Sequence, residues 1–154
     1  MGGICGYIGL EPRAFDESVL EGMIQRLRHR GTEVKRLRFR EVWFAVLGAG
    51  TPSIWPFPGR ESSAEMGAIL DGRIDNAPEL AVGMAGQGRE AGANSAHLLS
   101  AGFMEEGAKF LGRLQGLYAA AVHDPGSNTT WIARDPVGMR PLYLHRTRSR
   151  ILFA

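Results

Sequence analysis

The 154-residue chain contains a single cysteine, Cys5, so no disulfide can form within it. It has no CxxC pair, and its four histidines are isolated from one another, so it carries no zinc-type motif. No apolar run approaches the ~20 residues that cross a bilayer. The first ten residues, MGGICGYIGL, lack the basic flank of a signal peptide. We therefore expect a cytoplasmic protein without a metal site or a membrane span.

The chain also lacks a large excess of either positive or negative charge. The chain has 18 Lys and Arg against 16 Asp and Glu, a formal net charge of +2. Its densest basic stretch, 26–40, has no aromatic stacking pattern, so we predict a solvated helix face and loop there rather than a nucleic-acid site. No glycine-rich phosphate motif is present, so we expect no ATP or other cofactor in this chain.

Glycine is plentiful, at 21 residues, which is typical of a loop-rich α+β domain. Alternating and apolar runs predict strands at 4–10, 42–47, 66–70, 117–122, 129–133 and 150–154. Helical spacing predicts helices after an Asp16 N-cap, from about residue 78, and over 96–106, with Gly31 as the first helix's C-cap. Residues 51–63 hold three prolines and are predicted to form a loop. Two sheets packed face to face with helices outside would bury this pattern.

Four sequence stretches, taken in their order along the chain, resemble the motifs of one protein family. They are MGGICGYIG at the start, HRG at 29–31, DGRIDN at 71–76, and LQGLYAAAVHD with RDPVGMRPLY towards the end. Together they resemble the N-terminal glutaminase domain of asparagine synthetase and its relatives, the class II glutamine amidotransferases. The resemblance spans 1–154 as one domain and implies an αββα sandwich of the N-terminal-nucleophile hydrolase type. The ending ILFA stops where that family continues into a synthetase domain, so we expect a longer protein.

The resemblance also implies a chemistry. In the family, removal of Met1 exposes a cysteine that attacks the side-chain amide of L-glutamine, with its own α-amine as base. An Asn-Gly pair in the mid-chain motif forms the oxyanion hole. The released ammonia travels to an ATP- and Mg-dependent site in the synthetase domain. That domain is therefore the partner that the resemblance implies, and L-glutamine is a ligand only if the site is active. A homodimer stays compatible with the sequence.

The departures from the family fall on the catalytic positions. Gly2 stands where the nucleophilic cysteine belongs, and glycine has no side chain. Asp71 and Gly72 stand at the oxyanion-hole positions. Asp71 replaces an amide that donates hydrogen bonds, whereas a carboxylate only accepts them and carries the wrong charge.

The substrate-binding positions have changed as well. Arg73 replaces a glutamate that contacts the substrate's amino group and so reverses the charge. Alignment puts Thr51 where an arginine clamps the glutamine carboxylate, and Ser95 where an aspartate binds the α-amine. Loss of a nucleophile alone typically costs about 10⁴–10⁶ in rate. These changes together indicate a glutaminase site that has been lost.

Four more residues are predicted to have structural roles. His29 and Arg30 of the HRG motif are expected to hold the loop beside the N-terminus. Arg134 and Asp135 are expected to pair and fix a loop, which is a candidate contact with the synthetase domain.

Three functions stay open. The favoured one is a non-hydrolytic scaffold and interface domain of an asparagine-synthetase-like amide ligase. The second is an active glutaminase supplying ammonia, with Cys5 exposed by removal of four residues, because CGYIG also fits the family's Cys-Gly-x-x-Gly. Otherwise Cys5 is a packing residue on a buried strand. The third is a module that binds another ligand in the relict pocket, with Arg73 favouring an acidic one. A Gly2 engineered in place of a natural cysteine would leave Asp71 unexplained.

Overall fold

The computed structural model describes residues 2–11, 15–48, 53–56, 66–85 and 94–154. Its strands are β1 Gly3–Gly9, β2 Val34–Arg38, β3 Val42–Leu47, β4 Ser53–Trp55, β5 Gly67–Ile74, β6 Gly116–Asp124, β7 Thr129–Arg134, β8 Leu144–Arg146 and β9 Arg150–Phe153. The α-helices are α1 Glu17–Leu27, α2 Ala77–Ala85 and α3 Ser95–Glu106, with 3₁₀ segments at Arg28–Arg30 and Gly107–Arg113. None of the helices in these ranges is long and apolar enough to cross a membrane.

The strands form two antiparallel sheets. The first has the order β2-β3-β1-β9-β8, and the second has the order β4-β5-β6-β7. β1 lies at the centre of the first sheet, between β3 and β9. β5 and β6 are the central pair of the second, with Asp71 opposite Ala119. The N-terminal strand and the mid-chain motif are therefore on interior strands of different sheets.

Apolar side chains bind the layers together in three buried clusters. The middle cluster lies between the sheets and takes residues from both, including Ile4, Leu37, Phe44, Ile54, Ile69, Ala119, Ala121 and Phe153. A second cluster packs α1 on the outer face of the first sheet. A third packs α2, α3 and the following 3₁₀ segment on the outer face of the second sheet. This is the expected αββα sandwich, since each sheet buries both of its faces.

The first helix begins as predicted and ends differently. Asp16 caps α1, because its side chain accepts a hydrogen bond from the backbone N–H of Ser18. Leu20 and Ile24, four residues apart, are buried against the first sheet. The predicted C-cap, Gly31, caps the 3₁₀ segment Arg28–Arg30 that continues this helix, whereas the C-cap of the α-helix itself is Arg28. The α-helix ends at Leu27, a 3₁₀ turn follows, and Gly31 has an extended φ of 164°.

Three short edge strands were missed. The basic stretch predicted to be a helix face and loop contains β2, whose only buried residue is Leu37. Charged side chains are usual on an edge strand, which needs little apolar surface. The proline-rich stretch predicted to be a loop contains β4, which also lies at a sheet edge. β8 is exposed along its whole length, so burial gives it no sequence signal.

The prediction that a strand ends at residue 70 and that DGRIDN follows it is wrong. β5 runs through Ile74, so Asp71 and Gly72 lie within the strand and pair with β6. An aspartate and a glycine are poor strand formers, which explains the error. Residues two apart on a strand share a face. The Asp71 side chain therefore points in the same direction as the buried Ile69, towards the first sheet.

Candidate active site

The side chains of β1 point alternately to two different layers. Ile4 belongs to the cluster between the sheets, and a Cβ placed on Gly6 would lie 2.2 Å from the Phe153 ring in that cluster. Cys5 and Tyr7 belong to the cluster under α1. Counting back by two from Ile4 puts Gly2 on the face towards the second sheet. The nucleophile position therefore faces the mid-chain motif, and Cys5 faces away from it.

Cys5 has the surroundings of a packing residue. Its side chain is fully buried and lies in the same cluster as Leu20, Ile24 and Ala45. Burial raises the pKa of the Cys5 thiol to about 12, although the charge of Arg36 opposes the shift. A thiol with this pKa stays protonated at neutral pH, and the thiolate is the form that attacks an amide.

Asp71 is a buried carboxylate between two arginines. The residue is 3% exposed. Its Oδ2 atom lies 3.5 Å from Nη2 of Arg30 and 3.5 Å from Nη1 of Arg140. Its Oδ1 atom is buried and has no hydrogen-bond partner in the part of the chain that the structure describes. The position that holds a neutral donor in the resembling family is therefore the acidic centre of an ion cluster.

Arg30 connects this cluster to the N-terminus. Its Nε atom donates a 2.8 Å hydrogen bond to the carbonyl oxygen of Gly2. Because Nε and Nη2 form one edge of the guanidinium, the Gly2 carbonyl and the Asp71 carboxylate lie side by side along that edge. His29 is exposed and makes a 2.8 Å contact from Nδ1 to the carbonyl oxygen of Arg26. Arg30 thus lies beside the N-terminal strand as expected, and His29 contacts its own helical turn.

Asp135 holds the segment that carries Arg140. Its carboxylate accepts hydrogen bonds from the backbone N–H groups of Tyr118, Met139 and Arg140. Burial acts to raise the pKa of Asp135, but these backbone donors outweigh it and keep the pKa below its usual range. The expected pairing with Arg134 is not formed. The Arg134 guanidinium lies against Gly138 instead, because the buried carboxylate is already satisfied by backbone donors.

Gly72, at the position predicted for the oxyanion hole, has a backbone conformation that requires glycine. Gly72 has φ +122°, and a Cβ added there would lie 2.0 Å from the carbonyl oxygen of Leu117. Only glycine fits this conformation and this close approach of two strands. Arg73 extends outward from the next position, is 71% exposed along its side chain, and pairs with Asp75 at 2.6 Å. It is neutralised by its own neighbour, which weakens it as a recognition group for an acidic ligand.

Ser95 lies at the same end of the second sheet as Asp71. It is the first residue of α3, and the N–H of the next residue, Ala96, donates to Oγ of Ser53 at 3.1 Å. Ser53 in turn pairs with Leu70, the neighbour of Asp71. Thr51, the expected counterpart of the carboxylate clamp, lies outside the described residues. Within the ranges that are described, no group of three or more His, Cys, Asp or Glu residues could hold a metal ion.

Comparison with known proteins agrees with this geometry. A family model described as a glutamine amidotransferase domain matches residues 1–154. The chain belongs to the glutamine amidotransferase domain family. A solved structure, glutamine phosphoribosylpyrophosphate amidotransferase from B. subtilis in complex with ADP and GMP, superposes with a TM-score of 0.73 at 17% identity. The match covers 99% of this chain and 41% of that protein, so the domain spans less than half of its length. A search of curated proteins returned no match.

Sequence reasoning on this glutamine amidotransferase domain missed Arg140 as a site residue. The residue lies in RDPVGMRPLY, the most specific motif, and its basic character agrees with the Lys or Arg of the family pattern. That agreement was the available signal. Its contact with Asp71 depends on how the two sheets pack, which no local pattern encodes.

Proposed function

We propose that this amidotransferase domain does not hydrolyse glutamine and acts as a scaffold and interface domain of an ATP-dependent amide ligase of the asparagine synthetase type. The observation that carries the proposal is the Asp71 carboxylate, which lies between Arg30 and Arg140 beside a Gly2 that has no side chain.

The electrostatics of Asp71 oppose amide hydrolysis. Attack on an amide places negative charge on its oxygen, and the site must supply donors aimed at that oxygen. A carboxylate supplies none and repels the developing charge. The guanidiniums of Arg30 and Arg140 lie 3.5 Å from Oδ2 of Asp71, so an amide oxygen placed near them would also lie near that carboxylate. Restoring a thiol at Gly2 would therefore not be enough to restore the reaction.

Cys5 is a weak candidate for the missing nucleophile. Trimming four residues would free its α-amine but would leave its side chain directed at α1. The alternative of an active glutaminase would require β1 to turn over, which would expose Ile4 and disrupt the cluster between the sheets.

The ligase part of the proposal rests on the motif resemblance. In an asparagine-synthetase-like protein, ATP and Mg would bind in the synthetase domain, in the cytoplasm. A ligase with a silent glutaminase domain would use ammonium or an amine of its substrate as the nitrogen source.

Two assays test this. Purified chain is incubated with L-glutamine, and glutamate and ammonia are measured beside a Cys5→Ala variant, with the intact mass fixing the N-terminal residue. We expect both proteins to equal the buffer blank. Glutamine hydrolysis by the parent that Cys5→Ala abolishes would establish the active-glutaminase alternative.

In the full-length protein, amide formation should proceed with ammonium or an amine and not with glutamine, and a glutamine-dependent reaction would refute the proposal.

A further inference from the structure

The cluster formed by Arg30, Asp71 and Arg140 carries one positive charge in excess. The described residues otherwise contain ion pairs of one acid with one base, such as Arg73 with Asp75 and Arg36 with Glu21. Asp71 alone among them is shared by two arginines. Its side chain is 4% exposed, whereas the side chains of Arg30 and Arg140 are 24% and 26% exposed. The negative charge is therefore buried, and the positive charge is available to an incoming anion.

The guanidinium groups are incompletely used. Both contacts to Asp71 are 3.5 Å, whereas charge-assisted hydrogen bonds are typically about 2.7–2.9 Å. A guanidinium has five N–H donors. In Arg30, Nε donates to the Gly2 carbonyl and Nη1 has no partner among the described residues. In Arg140, the side-chain Nε and Nη2 have no partner among those residues either. Such forked donors match the spacing of oxygen atoms on phosphate and carboxylate groups.

The Oδ1 atom of Asp71 narrows the class of anion. It is a buried acceptor to which no described residue donates a hydrogen bond. Such a group requires explanation because nearly all buried polar atoms are paired. Sulfate and carboxylates are fully deprotonated near neutral pH and could only repel it. Phosphate and its monoesters have a second pKa of about 6 to 7 and keep a proton on part of the population. That P–OH group can donate to Oδ1 while the other oxygens accept from the two arginines.

We propose that the cluster of Arg30, Asp71 and Arg140 binds a protonated phosphate group, either inorganic phosphate or a small phosphate monoester. Because Oδ1 is buried, the ligand can reach it only if the side chains around Asp71 move. This site goes beyond the proposed function, and it is measured without glutamine, so either proposal can fail while the other stands.

Calorimetric titration of the purified chain at pH 6.5 and low ionic strength tests the site, with inorganic phosphate, methyl phosphate and sulfate as separate ligands. We expect saturable binding of phosphate, with sulfate at least tenfold weaker. Binding of methyl phosphate as tight as that of phosphate would identify a monoester as the ligand class, and much weaker binding would identify the free ion. No phosphate binding, or equal binding of phosphate and sulfate, would overturn the proposal.

Variants assign the binding to these side chains. Arg30→Gln and Arg140→Gln should each weaken phosphate binding at least tenfold, whereas Arg36→Gln, which removes an exposed arginine outside the cluster, should leave it unchanged. Asp71→Asn should bring the ratio of phosphate to sulfate affinity close to one, because the amide neither repels sulfate nor requires a proton. An equal loss in Arg36→Gln, or an unchanged ratio in Asp71→Asn, would contradict the assignment. The comparison of phosphate with sulfate on the parent chain decides the matter even if a variant does not fold.

Discussion

The guanidinium of Arg30 lies 3.5 Å from the carboxylate of Asp71, although 41 positions separate the two residues in the chain. Arg30 follows α1 on the outside of the first sheet, and Asp71 belongs to the second sheet. The contact joins the two sheets at the edge of their common core, next to the N-terminal strand. It also places an ion pair at the oxyanion position of the resembling family.

The two arginines should stabilise the domain in a non-additive way. Either Arg30→Gln or Arg140→Gln alone leaves Asp71 with one cation, and because both arginines are partly solvated we expect a loss of about 1 kcal/mol each. The double variant leaves a buried carboxylate unpaired and should cost about 3–5 kcal/mol, more than the sum. Urea unfolding of the four proteins measures the coupling.

The exposed pair of Arg36 with Glu21 supplies the control for that measurement. Arg36→Gln should cost under about 1 kcal/mol, because exposed ion pairs contribute little. Strict additivity of Arg30→Gln and Arg140→Gln would show that Asp71 does not depend on both.

The Cys5 thiol should be nearly unreactive in the folded protein. With its pKa raised to about 12, the thiolate fraction at pH 8 is roughly a thousandfold below that of an ordinary thiol, and burial blocks access as well. Alkylation by iodoacetamide at pH 8 should therefore be at least about a thousandfold slower than in 8 M urea. A thiol introduced by Val82→Cys in a Cys5→Ala background, on the exposed face of α2, should react equally fast in both conditions. Rapid native labelling of Cys5 would mean that β1 opens readily.

Two glycine substitutions should have opposite effects on stability. Gly72→Ala forces a Cβ against the Leu117 carbonyl at a φ of +122°, so we expect a loss above about 3 kcal/mol from strain and displaced backbone. Gly83→Ala lies in α2 with nothing within 4 Å of the new methyl group, so we expect a gain of about 0.5–1 kcal/mol from helix propensity. Thermal and urea unfolding measure both. A tolerated Gly72→Ala would show that β5 and β6 can separate at the oxyanion position.

The stability of the fold should decrease as pH falls below about 6.5 because of His123. This histidine is 2% exposed, lies against the Phe39 ring, and contacts Oγ1 of Thr130 through Nδ1. Burial lowers its pKa, and the charge of Asp124 offsets that shift only in part. The unfolded chain therefore takes up a proton at a higher pH than the folded chain, so stability is lost by up to about 1.4 kcal/mol per pH unit below the unfolded pKa.

Urea unfolding between pH 7.5 and 5 measures this loss, with His123→Gln as the comparison. The glutamine variant should be less stable at pH 7.5 but should have a flatter pH profile. Parallel profiles for the two proteins would assign the pH dependence to other groups.

The order of layers was accessible from the sequence because it follows from apolar alternation and from the four motifs. β1, β3, β6 and β7 carry regular apolar patterns, and their predicted positions agree with the structure to within three residues. β2 and β8 could not be predicted, because edge strands contribute one buried side chain or none and so have no periodicity to detect.

The altered residues of the candidate site could be identified from the sequence, but the ion cluster that Asp71 forms could not. Gly2 and Asp71 stand out because they contradict the chemistry that the motifs imply. The pairing of Asp71 with Arg30 and Arg140 arises where three distant segments meet, and spacing along one chain does not encode that meeting. The interpretation of Asp135 as a partner of Arg134 failed for a related reason, because backbone donors compete for a buried carboxylate and a sequence does not reveal them.

The alternation of side chains along β1 has a consequence for where a nucleophile could stand in this fold. Whether a residue near the N-terminus faces the other sheet depends on whether its number is even or odd, and not on its distance from the terminus. Even-numbered positions 2, 4 and 6 share that face. Shortening the chain changes which residue is first but does not rotate the strand. The Cys5 side chain therefore stays directed at α1, however many residues are removed before it.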